Sequence, residues 1–166
     1  MDELEALLRA YHISRVLDVR AYPASRRMPR FARDALAAAL AKAGIGYAHL
    51  PELGGRRRPV ADSSTNAGWT NAGFRGYADH MATSEFASGI ARAKSLAAER
   101  RCALMCAEAL WWRCHRRLVS DALTVSGWRV WHIGARAEPA LHERAPFAVV
   151  RGGSLVYPAP QEALDL

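Results

Sequence analysis

Three short apolar strings, RVLDVR (residues 15–20), GYAHLP (46–51) and CALMC (102–106), each run into a polar break and then into a stretch of helical character. Apolar runs of this length bounded by turn formers read as buried strands, and strands that alternate with helices join into a mainly parallel sheet through right-handed crossovers. A fourth string, WRVWHIG (128–134), fits the same series. The expected fold is therefore α/β, a three-layer α/β/α sandwich whose parallel sheet is covered on both faces. Helices are predicted over 2–12, where Leu4, Leu7, Leu8 and Tyr11 recur at helical spacing, and over 31–44, where alanine and leucine dominate and Gly44 supplies a stop. Residues 74–100 read as a helical pair or one helix broken near Thr83 with Ser84 as cap, and a further helix runs from about Cys114 to Val125, ended by Gly127. The tail PFAVVRGGSLVYP holds two extended runs around Gly152 and Gly153, a hairpin or an added edge strand.

A chain of 166 residues with 51% hydrophobic and 23% charged residues suits one domain, 1–166, with a full core. No stretch approaches the roughly 18 to 20 consecutive apolar residues of a membrane span, and the acidic, amphipathic N-terminus is unlike a secretory leader, so no membrane partner and a cytoplasmic location are expected. The three cysteines, Cys102, Cys106 and Cys114, cannot all pair with one another, and reduced thiols are the default. The net charge of +7 is carried almost wholly by arginine, since Lys42 and Lys94 are the only lysines. Such a balance permits contact with phosphate or nucleic acid, and a GC-rich coding bias explains it equally well.

In a parallel sheet the polar residues at strand C-termini converge on one rim, where ligands of α/β proteins sit. Here those residues are Asp18 and Arg20, His49 and Glu52, Cys106 and Glu108, with His132 ending the fourth strand in the same sense. Cys106 ends a strand and has Arg113 and His115 near it in sequence to stabilise a thiolate, which makes it the candidate nucleophile. Against this, the bulky loop of Leu110, Trp111 and Trp112 is a poor phosphate cradle, and a free cysteine at a strand end is often plain core. A metal site with Cys106, Cys114 and His115 as ligands and His49 or Glu108 completing four fits the spacing poorly, because there is no paired CxxC and Cys114 and His115, read as successive helical residues, would point about 100° apart, so no metal is expected. Glu52 and Glu108 are either general acid/base groups or ion-pair partners of arginines.

Arg26, Arg27 and Arg30 in one loop, after Ser25, and Arg56, Arg57 and Arg58 in another both follow strand C-termini and should flank the same rim. Trp112, together with Trp111, Trp69, Phe74 and Tyr77, would give flat faces for a base while arginines hold phosphate. Arg75 and Tyr77 either cover the pocket from the long 52–73 segment, a lid in this reading, or simply pack, with Arg75 paired to Asp79 four residues on. On the last helix Arg117 and Asp121 read as a surface pair.

The four blocks LDVRAYPAS, HLPELGGRRR, FRGYADHMAT and LMCAEALWWRCHR, in this order, resemble the DUF488 family of prokaryotic proteins. The resemblance spans roughly residues 15–133 and implies a compact α/β domain with one shared site and no assigned activity. The resulting expectation is an enzyme acting on a nucleotide, nucleic acid or other phosphate-bearing ligand. Arg20, Arg56 and Arg113 position the anion, Cys106 or Glu108 performs the chemistry, and His115 or His49 moves protons. A non-catalytic nucleic-acid-binding module is the alternative, and a thiol redox sensor a third, requiring Cys106 and Cys114 to lie close enough to pair. No bound cofactor is signalled, because there is neither a dinucleotide fingerprint nor a Walker loop.

Overall fold

The computed structural model describes residues 2–25, 27–61, 64–134 and 137–160. Its sheet has three parallel strands in the order β2-β1-β3: β1 (Arg15–Asp18), β2 (Gly46–His49) and β3 (Cys102–Met105). The register aligns Asp18 with His49 on one side and with Met105 on the other, so all three strands end level with one another. Helix α1 (Asp2–Ala10) leads into β1, and α2 (Arg33–Lys42) returns the chain to β2. Two helices, α3 (Ala72–His80) and α4 (Ser84–Glu99), precede β3, and α5 (Arg116–Val125) follows it. The break falls as expected, but Thr83 rather than Ser84 is the cap, its hydroxyl accepting from the Phe86 N–H.

Successive residues of β1 point to opposite faces. Val16 packs with Leu8, Leu36, Leu40 and Ile45 under α1 and α2, whereas Leu17 and Val19 join Tyr77, Phe86, Ile90, Leu118 and Val119 from α3, α4 and α5. The polar strand ends are thereby fixed above a core that is dry on both sides.

The fourth expected strand belongs elsewhere. β4 (Trp131–Gly134) pairs antiparallel with β5 (Ala137–Leu141) in a separate two-stranded sheet, and β6 (Val149–Arg151) and β7 (Ser154–Val156) form the hairpin anticipated around Gly152 and Gly153, both at positive φ. An apolar strand string carries no label for its partner, and the short link to β5 favours the local antiparallel pairing over entry into the parallel sheet. The segment between Leu53 and Asn71 is also more than a lid: Trp69 is buried among Phe74, Phe147 and Tyr157, and Asn66 accepts from the Tyr157 N–H and donates to Asp79.

Candidate functional site

Beyond the end of β3 the chain runs through Cys106 and Glu108 into a single 3-10 turn, Trp111–Arg113, and enters α5 at Arg116. Cys114 is extended, with φ −129° and ψ 150°, so it precedes the helix rather than lying on it. That backbone turn removes the 100° divergence expected of helical neighbours and aims Cys114 and His115 at one point.

At that point Cys106 Sγ and Cys114 Sγ are 3.1 Å apart. His115 Nδ1 lies 3.5 Å from Cys114 Sγ and 3.9 Å from Cys106 Sγ. The other ring nitrogen, Nε2, is 3.0 Å from the Val19 carbonyl oxygen at the end of β1. A carbonyl only accepts, so Nε2 carries a proton and donates, which leaves Nδ1 facing the two sulfurs. Tyr77 backs the imidazole with ring centroids 5.1 Å apart.

The thiols are unequal. The hydrogen bond between the two thiols holds Cys114 far below the usual thiol range against the effect of burial, with His115 and the Arg116 backbone N–H adding to the lowering. Cys106 is raised by the same bond and by burial. The two thiols therefore titrate as a pair.

These three groups form the floor of a cavity of about 670 Å³ at the C-terminal end of the parallel sheet. Arg56, Arg113 and the half-exposed Trp112 stand on its rim, with Tyr22, Glu108 and the first turn of α3, Asn71 and Gly73, around them. Gly55 lies against the imidazole: a Cβ there would sit 2.2 Å from Nδ1 and 2.7 Å from both Cγ and Cε1 of His115. Those distances put it over the ring face, leaving the in-plane lone pair clear.

Other residues singled out in the sequence have different employment. Asp18 is fully buried, takes two hydrogen bonds from the Arg20 guanidinium and one from Tyr47, and so is a support rather than a ligand group. Arg20 touches the cavity, but its guanidinium is committed to Asp18 and the Phe31 carbonyl, and the bond to Asp18 raises its pKa. His49 Nε2 lies 2.8 Å from the Arg20 carbonyl oxygen, and Glu52 pairs with Arg92 at 3.5 Å; neither lines the cavity. Tyr77 is wholly buried and donates to the Leu53 carbonyl, so it cannot stack on a ligand. Arg75 lies outside the cavity wall, its Nε buried without a partner, and Asp79 accepts instead from Val60 and Asn66. Ser25 accepts from the Met28 N–H within its own loop, and Arg26 falls outside the described residues. Glu108 stays on the rim, accepting from the Leu110 N–H.

His132 is the clearest displacement. It sits on β4, stacked 3.6 Å from Trp111, with Nε2 2.8 Å from His142 Nδ1. Asp121, far from a surface pair with Arg117, is fully buried and bound to His142, Tyr157 and the Ala145 N–H. Sequence reasoning weighed Cys114 only as a redox partner of Cys106 or a disfavoured metal ligand, and overlooked Gly55, whose signal was the GG of HLPELGGRRR, and the Val19 carbonyl, which has no side-chain signal at all.

Residues 1–123 match the family described as "Domain of unknown function DUF488". The chain belongs to the DUF488 family. The match contains the whole Cys106, Cys114 and His115 cluster and stops before β4. No curated protein and no solved structure matches the chain. Among the described residues of this DUF488 protein no helix is long and apolar enough to cross a membrane.

Proposed function

We propose that this DUF488 protein is an enzyme acting on a phosphate-bearing ligand held in the cavity above Cys106, Cys114 and His115. The observation that carries the reading is the convergence of two thiols and the Nδ1 ring nitrogen of His115 on the floor of a cavity rimmed by Arg56 and Arg113. Reactive groups gathered at strand ends by a rigid scaffold are what an active site requires, and core packing has no need of them. Unlike Arg20, Arg56 and Arg113 have no carboxylate partner among the described residues, and the amide N–H groups in the first turn of α3 add positive potential to the same wall. Trp112 offers a face for a base or other flat group. The sheet with helices on both faces, a three-layer arrangement, is part of the same reading.

The test is binding, then turnover, with inorganic phosphate, a nucleoside monophosphate and a short single-stranded oligonucleotide as probes. Replacing Arg56 and Arg113 together by glutamine should weaken the preferred probe by about tenfold or more, the scale of losing charge-assisted contacts. Cys114→Ser should keep binding and lose turnover. Binding indifferent to both arginines overturns the reading. Binding with a steep salt dependence and no effect of Cys106→Ser or Cys114→Ser would make the protein a nucleic-acid-binding module instead.

The 3.1 Å sulfur separation favours one other reading, a dithiol that closes to a disulfide. Its two protons and two electrons would pass to an oxidant such as glutathione disulfide, and a midpoint potential measured against glutathione tests it.

A further inference from the structure

Deepening the proposed active site and resting on its location, the geometry points to Cys106 Sγ, Cys114 Sγ and His115 Nδ1 as the ligands of one divalent ion of the zinc class, with a fourth coordination position open to the cavity. The three atoms lie within 4.8 Å of one another, and two sulfurs with one imidazole nitrogen are a donor set that borderline-soft metals prefer over calcium or magnesium. With metal–sulfur and metal–nitrogen distances of about 2.3 and 2.0 Å, the observed separations correspond to ligand–metal–ligand angles of about 85°, 109° and 130°. Three such angles describe a pyramid, not a plane. The apex is free, and opening the sulfur pair by about 0.7 Å while His115 Nδ1 closes on Cys106 Sγ by about 0.4 Å makes it tetrahedral.

The surroundings are those of a ligand sphere. A metal-bound histidine needs its second nitrogen anchored so that the lone pair of the first is aimed, and the Val19 carbonyl does this for His115. Gly55 closes over the ring face while leaving the lone pair clear, and the Arg116 backbone N–H reaches Cys114 Sγ at 3.5 Å. On binding, the thiols enter as thiolates and their protons pass to solvent, so two negative sulfurs neutralise the ion. A site with three protein ligands and an open position is the catalytic rather than the structural form of a zinc site. An ion there would supply a bound water or polarise a phosphoryl oxygen held between Arg56 and Arg113.

Cobalt(II) titration of the reduced full-length chain tests this, because cobalt replaces zinc and reports its ligands optically. A 1:1 complex is expected, with a sulfur-to-cobalt charge-transfer band and the visible bands of a four-coordinate ion, bleached by zinc. Cys106→Ser and Cys114→Ser should abolish the charge-transfer band, and His115→Gln should weaken binding by about tenfold or more. Cys102→Ser should change nothing, its thiol being turned to the Leu96 and Arg100 carbonyls. If the variants fail to fold, the wild type still decides: one equivalent of zinc should protect Cys106 and Cys114 from alkylation and leave Cys102 unprotected. Folded, reduced protein that gives no band and no protection overturns the inference, as does a band unaffected by His115→Gln. Phosphate or nucleotide binding measured on the same samples separates the two proposals. Ligand binding without a cobalt band sinks the metal alone, and a cobalt band without ligand binding sinks the phosphate-bearing substrate alone.

Discussion

Helix α5 carries a cluster of ionisable groups at each of two levels, and they are built on opposite plans. Before its first turn, Cys106, Cys114 and His115 meet at the floor of an open cavity, and a ring nitrogen is left with no donor but two thiols. Two turns further on, Asp121 is sealed from solvent and saturated: Oδ1 takes the His142 Nε2–H and the Ala145 N–H, and Oδ2 takes the Tyr157 hydroxyl. His142 Nδ1 then lies 2.8 Å from His132 Nε2, continuing the chain outward to the Trp111 stack. Both clusters hold residue types that catalysis uses. The difference lies in unspent hydrogen-bonding and ligand capacity facing a space, which only the first retains.

The contrast breaks most severely at Asp121. Asp121→Ala leaves a buried histidine, a tyrosine hydroxyl and an amide without their acceptor, so urea unfolding should show a loss of about 3 to 5 kcal/mol, the cost of removing one partner of a buried polar pair. Thiol reactivity at Cys114, measured under conditions where the variant stays folded, should be unchanged. If Asp121→Ala alters the thiols before it alters stability, the two clusters are one machine.

Gly55→Ala attacks the other side. The added Cβ overlaps the His115 ring, so the imidazole must leave its place against the Val19 carbonyl. Stability should fall by about 1 to 3 kcal/mol, as for overpacking, while ligand binding and thiolate reactivity are lost outright. A Gly55→Ala protein with wild-type site chemistry would mean that His115 has no part in it.

The saturated cluster should also announce itself in pH. Burial, then the nearby His142 and Arg116, lower His132 from its ordinary value to about 4. The folded state thus binds fewer protons than the unfolded chain between about pH 4 and 6.5, and stability should fall as the pH drops through that window and level off above it. The slope from this group is at most about 1.4 kcal/mol per pH unit, and His132→Gln should flatten it in a series of denaturant titrations. At the small end stands the exposed Arg57–Glu85 pair at 3.0 Å, whose disruption by Glu85→Gln should shift stability by less than about 1 kcal/mol.

Much of this arrangement was legible in the sequence and some was not, for identifiable reasons. The strings around Leu17, Ala48 and Ala103 announced the parallel strands, because apolar runs of strand length between helices leave few alternatives. The paired glycines 152 and 153 announced their turn through the left-handed backbone they alone tolerate well. Cys106 and His115 could be picked out by chemistry and position, whereas the aim of Cys114 was misread, since it depends on two backbone angles just before α5 that helical periodicity does not encode. The fate of Asp121 was hidden for another reason: its partners lie 21 to 36 residues away, just beyond the ends of β5 and β7 and in the loop between β5 and β6, whose placement nothing local specifies.

The match to DUF488 ends at residue 123, two positions after Asp121, while the groups that satisfy this carboxylate come from His142, Ala145 and Tyr157. The border of the shared sequence therefore does not coincide with a border of self-sufficiency. A graft that joined the first 123 residues to another tail would inherit a buried negative charge with its donors missing. Relatives whose chains continue differently after α5 are expected to differ at the Asp121 position as well, so that this one residue should co-vary with the length and pattern of everything downstream of it.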